Sequence, residues 1–81
     1  MKITLLLFAQ GCEAAGRDSL PVEIAEGGGV PDLWAAVEGA CPALLRLRET
    51  SRIAINHEFA DEGTRIRPED EVALIPPVSG G

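Results

Sequence analysis

The stretch Lys2–Phe8 constrains this chain more than any other segment. With the two-residue period of a strand, Ile3, Leu5 and Leu7 fall on one face and Thr4, Leu6 and Phe8 on the other. Both rows are mostly apolar, so the strand needs cover over at least part of each face, which puts it in the centre of a sheet. Lys2 and the apolar residues behind it resemble a secretory leader. Thr4 is polar, however, the run is short, and Gln10 and Glu13 follow at once. A first strand is therefore the reading, and the cytosol is the expected compartment. At 81 residues a single domain spanning 1–81 is expected. No apolar run approaches the ~20 residues of a membrane span.

The remaining elements follow from local chemistry. Ala9–Ala15 forms a short helical turn with Gly16 as its left-handed cap. Leu20–Ala25 alternates as a strand, and Pro21 places it at an edge. Three consecutive glycines, Gly27 to Gly29, lack the context of a phosphate loop and read as a flexible lead into a helix. That helix begins at Val30-Pro31-Asp32, with Pro tolerated in the first turn and Asp at the positive dipole end. Val30, Leu33, Trp34, Val37 and Cys41 share one stripe, which makes Trp34 a core residue. Pro42 stops the helix, and Ala43–Arg48 adds a further turn burying Leu44 or Leu45 and Leu47. Ile53–Ile55 is a third strand, Asn56–Glu58 a turn, and Phe59 a short return. Asp61–Gly63 and Arg67–Asp70 are turns, and Glu71–Ile75 is the last strand, parallel to the first, with Pro76 ending its ladder. One sheet with one helical layer makes this an α+β chain.

Charge and composition exclude several functions. The formal net charge is −6, which argues against nucleic acid as a partner, because phosphate contacts need a basic stripe. Arg46, Arg48 and Arg52 form a small basic cluster that reads as a solvated face. Cys12 and Cys41 are too far apart for a paired-cysteine motif, so they read as one loop thiol and one helix-end thiol rather than as metal ligands or a redox pair. His57 stands alone, as a turn histidine. No metal site and no tightly bound cofactor are expected.

The tail carries the functional signal. Pro76 and Pro77 fix φ and remove two donors, stiffening the chain where it leaves the body. Val78, Ser79, Gly80 and Gly81 then reach roughly 13–14 Å when extended. The two glycines carry no Cβ, so they pass through a slot too narrow for other residues and leave a carboxylate with no side chain near it. A stiff base, a thin probe and a terminal carboxylate suit a chain end that is itself worked on by another enzyme.

These residues resemble the ubiquitin-like β-grasp sulfur carriers of the MoaD/ThiS family, and within it most closely the small subunit of molybdopterin synthase. The resemblance covers essentially the whole chain. Its most specific part is Asp70-Glu71-Val72-Ala73 running into Ile75-Pro76-Pro77-Val78-Ser79-Gly80-Gly81. Leu7-Phe8-Ala9, Glu13-Ala14-Ala15-Gly16, Asp32-Leu33-Trp34 and Ile55-Asn56 add to it. Two positions depart from the family pattern. Cys12 stands where an arginine is usual, and Glu69 stands where a glycine is usual. A left-handed backbone at Glu69 would cost about 1–2 kcal/mol unless Pro68 has reshaped the turn.

The resemblance implies a β-grasp with a mixed sheet, one main helix on one face and a flexible Gly-Gly tail. It implies that an E1-like adenylyltransferase uses ATP to activate the Gly81 carboxylate as an acyl-adenylate, and that a sulfur donor converts it to a thiocarboxylate. The tail, Pro76 to Gly80, then enters the large subunit of molybdopterin synthase, in a heterotetramer, where the sulfur builds the dithiolene on cyclic pyranopterin monophosphate. The carrier is then a sulfur-donating subunit without catalytic groups of its own. Tail contacts alone are weak: ordering four residues costs roughly 4–8 kcal/mol, against about 1.5–3 kcal/mol from burying Val78. The body must therefore dock too, and Phe59, Ile75 and Phe8 are the expected contacts, with core packing as the alternative for each. Rival readings are a sulfur carrier for thiamine thiazole, disfavoured by Ser79 and the prolines, a ubiquitin-like protein modifier, and a β-grasp binding module with no terminal chemistry.

Overall fold

The computed structural model describes residues 1–76. Five strands, β1 (Lys2–Leu7), β2 (Ser19–Glu23), β3 (Arg52–Ile55), β4 (Glu58–Phe59) and β5 (Val72–Ile75), form one sheet in the order β2-β1-β5-β3-β4. The first strand lies inside the sheet, as its two apolar rows require. It pairs antiparallel with β2 and parallel with β5, with Leu7 opposite Leu74. Strand β3 closes the other side of β5 in antiparallel register, Arg52 opposite Ile75 and Ala54 opposite Ala73. Pro21 lies in β2, an edge strand, where a missing donor is tolerated. The sheet is therefore mixed, with β1, β5 and β3 each held on two sides.

Two helices, α1 (Ala9–Ala15) and α2 (Val30–Ala40), and a 3-10 turn at Pro42–Leu47 supply the second layer. Gly16 caps α1 at φ 71°, its N–H donating to the Cys12 carbonyl at 2.8 Å. Gly29 precedes α2, and its N–H donates to the Asp32 carboxylate at 2.9 Å. The glycines there have a packing reason as well: a Cβ on Gly29 would stand 2.7 Å from the Thr64 carbonyl oxygen. The run Gly27–Gly29 thus lets two backbones meet, and Ile66 N–H donates to the Gly28 carbonyl at 2.9 Å.

The core lies between sheet and helices. Ile3, Leu5 and Leu7 from β1, Leu20 and Val22 from β2, Ile53 and Ile55 from β3, and Val72 and Leu74 from β5 meet Leu33, Trp34 and Val37 of α2 and Leu44 of the 3-10 turn. Trp34 is a core residue, 5% exposed, with the Arg48 guanidinium 5.7 Å from its ring centroid. Leu44 is fully buried, while Leu45 and Leu47 pack partly against the cluster.

Several local readings need correction. Cys12 is a helical residue of α1, not a loop thiol. Strand β1 ends at Leu7; Phe8 keeps extended dihedrals (φ −132°, ψ 153°) as the helix cap, and the chain turns at Ala9, where φ is 47°. The three arginines do not act as one cluster, because Arg48 lies over Trp34 and Arg52 over Phe59. Glu69 is not among the residues with positive φ, so it carries no left-handed strain. The Arg67–Asp70 turn is closed by Asp70 N–H to the Arg67 carbonyl at 3.0 Å and by Arg67 N–H to the Asp70 carboxylate at 2.8 Å. Among the described residues no helix is long and apolar enough to cross a membrane.

Candidate docking face and tail root

The face of the sheet turned away from the helices is only partly polar. Alternation puts Leu6 and Phe8 there from β1 and its extension, Ala73 and Ile75 from β5, and Arg52 and Ala54 from β3. Phe59 of β4 lies directly opposite Ala54 and so shares that face. Among the described residues, Phe8 and Phe59 are the two large exposed apolar side chains, 49% and 58% accessible. They are not core residues. Together with Ile75, Ala54, Ala73, His57 and Glu71 they line a concavity of about 310 Å³.

The geometry follows from side-chain size. Ala54 and Ala73 face each other across β3 and β5 and make a low floor. Phe8 and Phe59 rise at its sides, and half-buried Ile75 belongs to the last pair of the ladder before Pro76. Thus Phe59, Ile75 and Phe8, three residues separated widely in sequence, gather at the root of the tail. Pro76 leaves directly from this face's end. Pro77, Val78, Ser79, Gly80 and Gly81 lie outside the described residues.

The rim is polar. Arg52 lies with its guanidinium carbon 4.1 Å from the Phe59 ring centroid. On the opposite rim His57 Nε2 is 3.1 Å from Glu71 Oε2. His57 and Asn56 make up the two-residue turn between β3 and β4, with φ of 70° and 52°. Positive φ at both positions is what the right-handed twist of a tight hairpin demands, and Asn tolerates it better than most residues.

Asn56 also fastens the start of β5. Its Nδ2 donates to Asp70 Oδ1 at 2.9 Å, its Oδ1 accepts from Glu71 N–H at 2.9 Å, and its own N–H donates to the Glu71 carbonyl at 2.8 Å. The Asp70 carboxyl is held below its ordinary range first by the Arg67 N–H, then by the Asn56 amide. This bolt sets where β5 begins, and four residues later the tail departs. Sequence reading placed Asn56 and Asp70 in two separate turns and did not link them. It also missed the Ala54 and Ala73 floor and the Arg52 stack. Only the alternation Arg52-x-Ala54, with Asn56 at the turn, carried a sign of them. Among the described residues no three His, Cys, Asp or Glu side chains are placed to hold a metal ion.

The mixed five-stranded sheet with a helix across one face is the ubiquitin-like β-grasp. The chain superposes on the crystal structure of SAMP1 from Haloferax volcanii with a TM-score of 0.87 at 34% identity, covering all of both chains. The sequence profile of the ThiS family matches residues 5–81, and the chain belongs to that family. It is 37% identical over the full length of both chains to the molybdopterin synthase sulfur carrier subunit of Chlamydomonas reinhardtii. It is also 36% identical to small archaeal modifier protein 1 of Haloferax volcanii, over 93% of this chain and 95% of that one.

Proposed function

We propose that this chain is a sulfur carrier of molybdenum cofactor synthesis, working in the cytoplasm and delivering sulfur from its own C-terminus. An E1-like enzyme adenylates the Gly81 carboxylate with ATP, releasing pyrophosphate. A sulfur donor displaces AMP and leaves a thiocarboxylate. The tail then enters the large subunit of molybdopterin synthase, where the sulfur is transferred to cyclic pyranopterin monophosphate.

The chemistry has a simple logic. A carboxylate is a poor electrophile, and adenylation gives it a good leaving group. The resulting thiocarboxylate is a nucleophile at neutral pH. The carrier's part is to present it. The observation that carries the reading is the apolar concavity of Phe8, Phe59 and Ile75 at the point where Pro76 leaves the sheet. An exposed apolar patch of this kind on a small acidic protein fits a protein partner, and the tail alone gives too little binding energy. Full-length likeness to a synthase sulfur carrier subunit supports the choice of chemistry.

Intact mass spectrometry tests it. After incubation with ATP, an E1-like enzyme and a sulfur source, the chain gains the mass difference of one oxygen replaced by sulfur, located at Gly81. An unchanged mass under conditions that convert a known carrier contradicts the proposal.

A second reading is favoured by the likeness to small archaeal modifier protein 1. As a modifier, the chain would form isopeptide bonds through Gly81. High-mass cellular conjugates carrying the Gly80-Gly81 remnant on lysine would support that role, alone or beside sulfur transfer.

A further inference from the structure

We propose that Arg52 is the charged recognition residue of the docking face, and that the partner sets an aspartate or glutamate against it beside the mouth of the tail channel. This rests on the carrier reading above and names the chemistry of the surface that receives the body.

Arg52 is placed by register. It is the first residue of β3 and lies opposite Ile75, the last residue of β5, so it shares the open face with Ile75 and Ala54 at the tail root. Its guanidinium lies over the Phe59 ring at 4.1 Å. In that position the cation rests against an aromatic wall, and among the described residues its N–H groups meet no carboxylate. Such a stack leaves a planar fork ready for a carboxylate, which a lysine does not provide.

The charge balance points the same way. The chain carries −6 overall, yet among the described residues no carboxylate lies within 4.0 Å of Arg52. Glu71, on the opposite rim, has the His57 imidazole at 3.1 Å. One rim of the groove therefore carries a carboxylate with a polar neighbour, and the other presents a cation that no carboxylate of the described residues meets. When a partner covers Phe8, Phe59 and Ile75, water leaves Arg52 as well. A desolvated guanidinium without a counter-charge opposes binding, whereas one paired to a carboxylate favours it and fixes orientation. A second copy of this acidic chain would be repelled rather than drawn in. An acidic side chain next to an apolar anchor on another protein is the occupant that satisfies all three observations.

The test is calorimetric titration of the full-length carrier with purified large subunit of molybdopterin synthase, at low and high salt. The variants are Arg52→Met, which keeps stem and volume, Arg52→Lys, which keeps charge, and Phe59→Ala. Arg52→Met is expected to weaken Kd about tenfold or more at low salt and to reduce its salt dependence. Arg52→Lys falls between it and the wild type, and combining Arg52→Met with Phe59→Ala adds less than the two separate losses. Unchanged thermal unfolding of each variant shows that the loss is at the surface. Overturning results are a wild-type affinity for Arg52→Met at low salt, or self-association of the carrier alone that Arg52→Met abolishes. A wild-type chain that does not bind the large subunit overturns the carrier reading itself, and this proposal with it.

Discussion

The two faces of the sheet use the same strands in opposite ways. Towards the helices, Leu5, Val72 and Leu74 are wholly buried, and each side chain holds strand to helix. One residue along, Ala73 and Ile75 line a shallow groove between two exposed phenylalanines. The first face stabilises the globule; the second is free to meet another molecule. A period-two strand separates the two faces residue by residue, so stability and the proposed docking are expected to change independently. In a domain this small, with a limited core, that independence matters.

Substitution on the helix side gives the largest effect on stability. Leu74→Ala leaves a cavity under α1 and the centre of the sheet. It is expected to cost about 2–5 kcal/mol in denaturant unfolding, with any functional loss following the unfolded fraction. On the open side, Phe59→Glu is expected to leave unfolding within about 0.5–1 kcal/mol of the wild type. Binding to the large subunit should weaken by about 2 kcal/mol or more. If Phe59→Glu unfolds the protein, the two faces are not separable and the comparison fails.

Between the faces stands the Asn56 bolt. Asn56→Ala removes two side-chain hydrogen bonds and places a less tolerant residue at φ 52°. The expected loss is about 1–3 kcal/mol. Amide exchange should quicken first at Glu71 and Val72, before the β1–β2 pair responds. Uniform quickening across the sheet would deny the bolt a local role.

The smallest effect is in acid. Asp70 has its folded-state pKa depressed by the Arg67 N–H and the Asn56 amide. Its contribution is therefore fully present above the ordinary carboxylate value, near about pH 4, and is lost as pH falls through the depressed one. Asp70→Asn should flatten that part of the acid-side stability curve and leave the neutral region with the same slope. An identical acid limb in both proteins would show that the carboxylate does not contribute.

Much of this molecule was legible before its structure. Ile3, Leu5 and Leu7 announce a buried row, Pro42 marks the end of α2, and Gly16 marks a left-handed cap, because each depends on neighbours within a turn or two. Phe8, Ile75 and Phe59 were legible as candidates but not as a group. Their meeting depends on β5 inserting between β1 and β3, a pairing across tens of residues that local pattern does not specify. Arg52 was harder still. Beside Arg46 and Arg48 in sequence it reads as part of a charged surface, and only the pairing of β3 with β5 and β4 sets it beside Ile75 and Phe59. Glu69 taught the reverse: a position that looked strained by its residue type is relaxed, because Pro68 and the Asp70 carboxylate shape a turn that needs no positive φ there.

The central claim is that the globule exists to aim a chemically active chain end. The most direct measurement adds a single alanine after Gly81 and compares the lengthened chain with the wild type in reconstituted pterin sulfuration, with folding monitored in the same samples. The account predicts that the lengthened chain keeps its amide spectrum and its unfolding midpoint, takes up no sulfur and supports no dithiolene formation. Equal sulfuration by the two chains would contradict it.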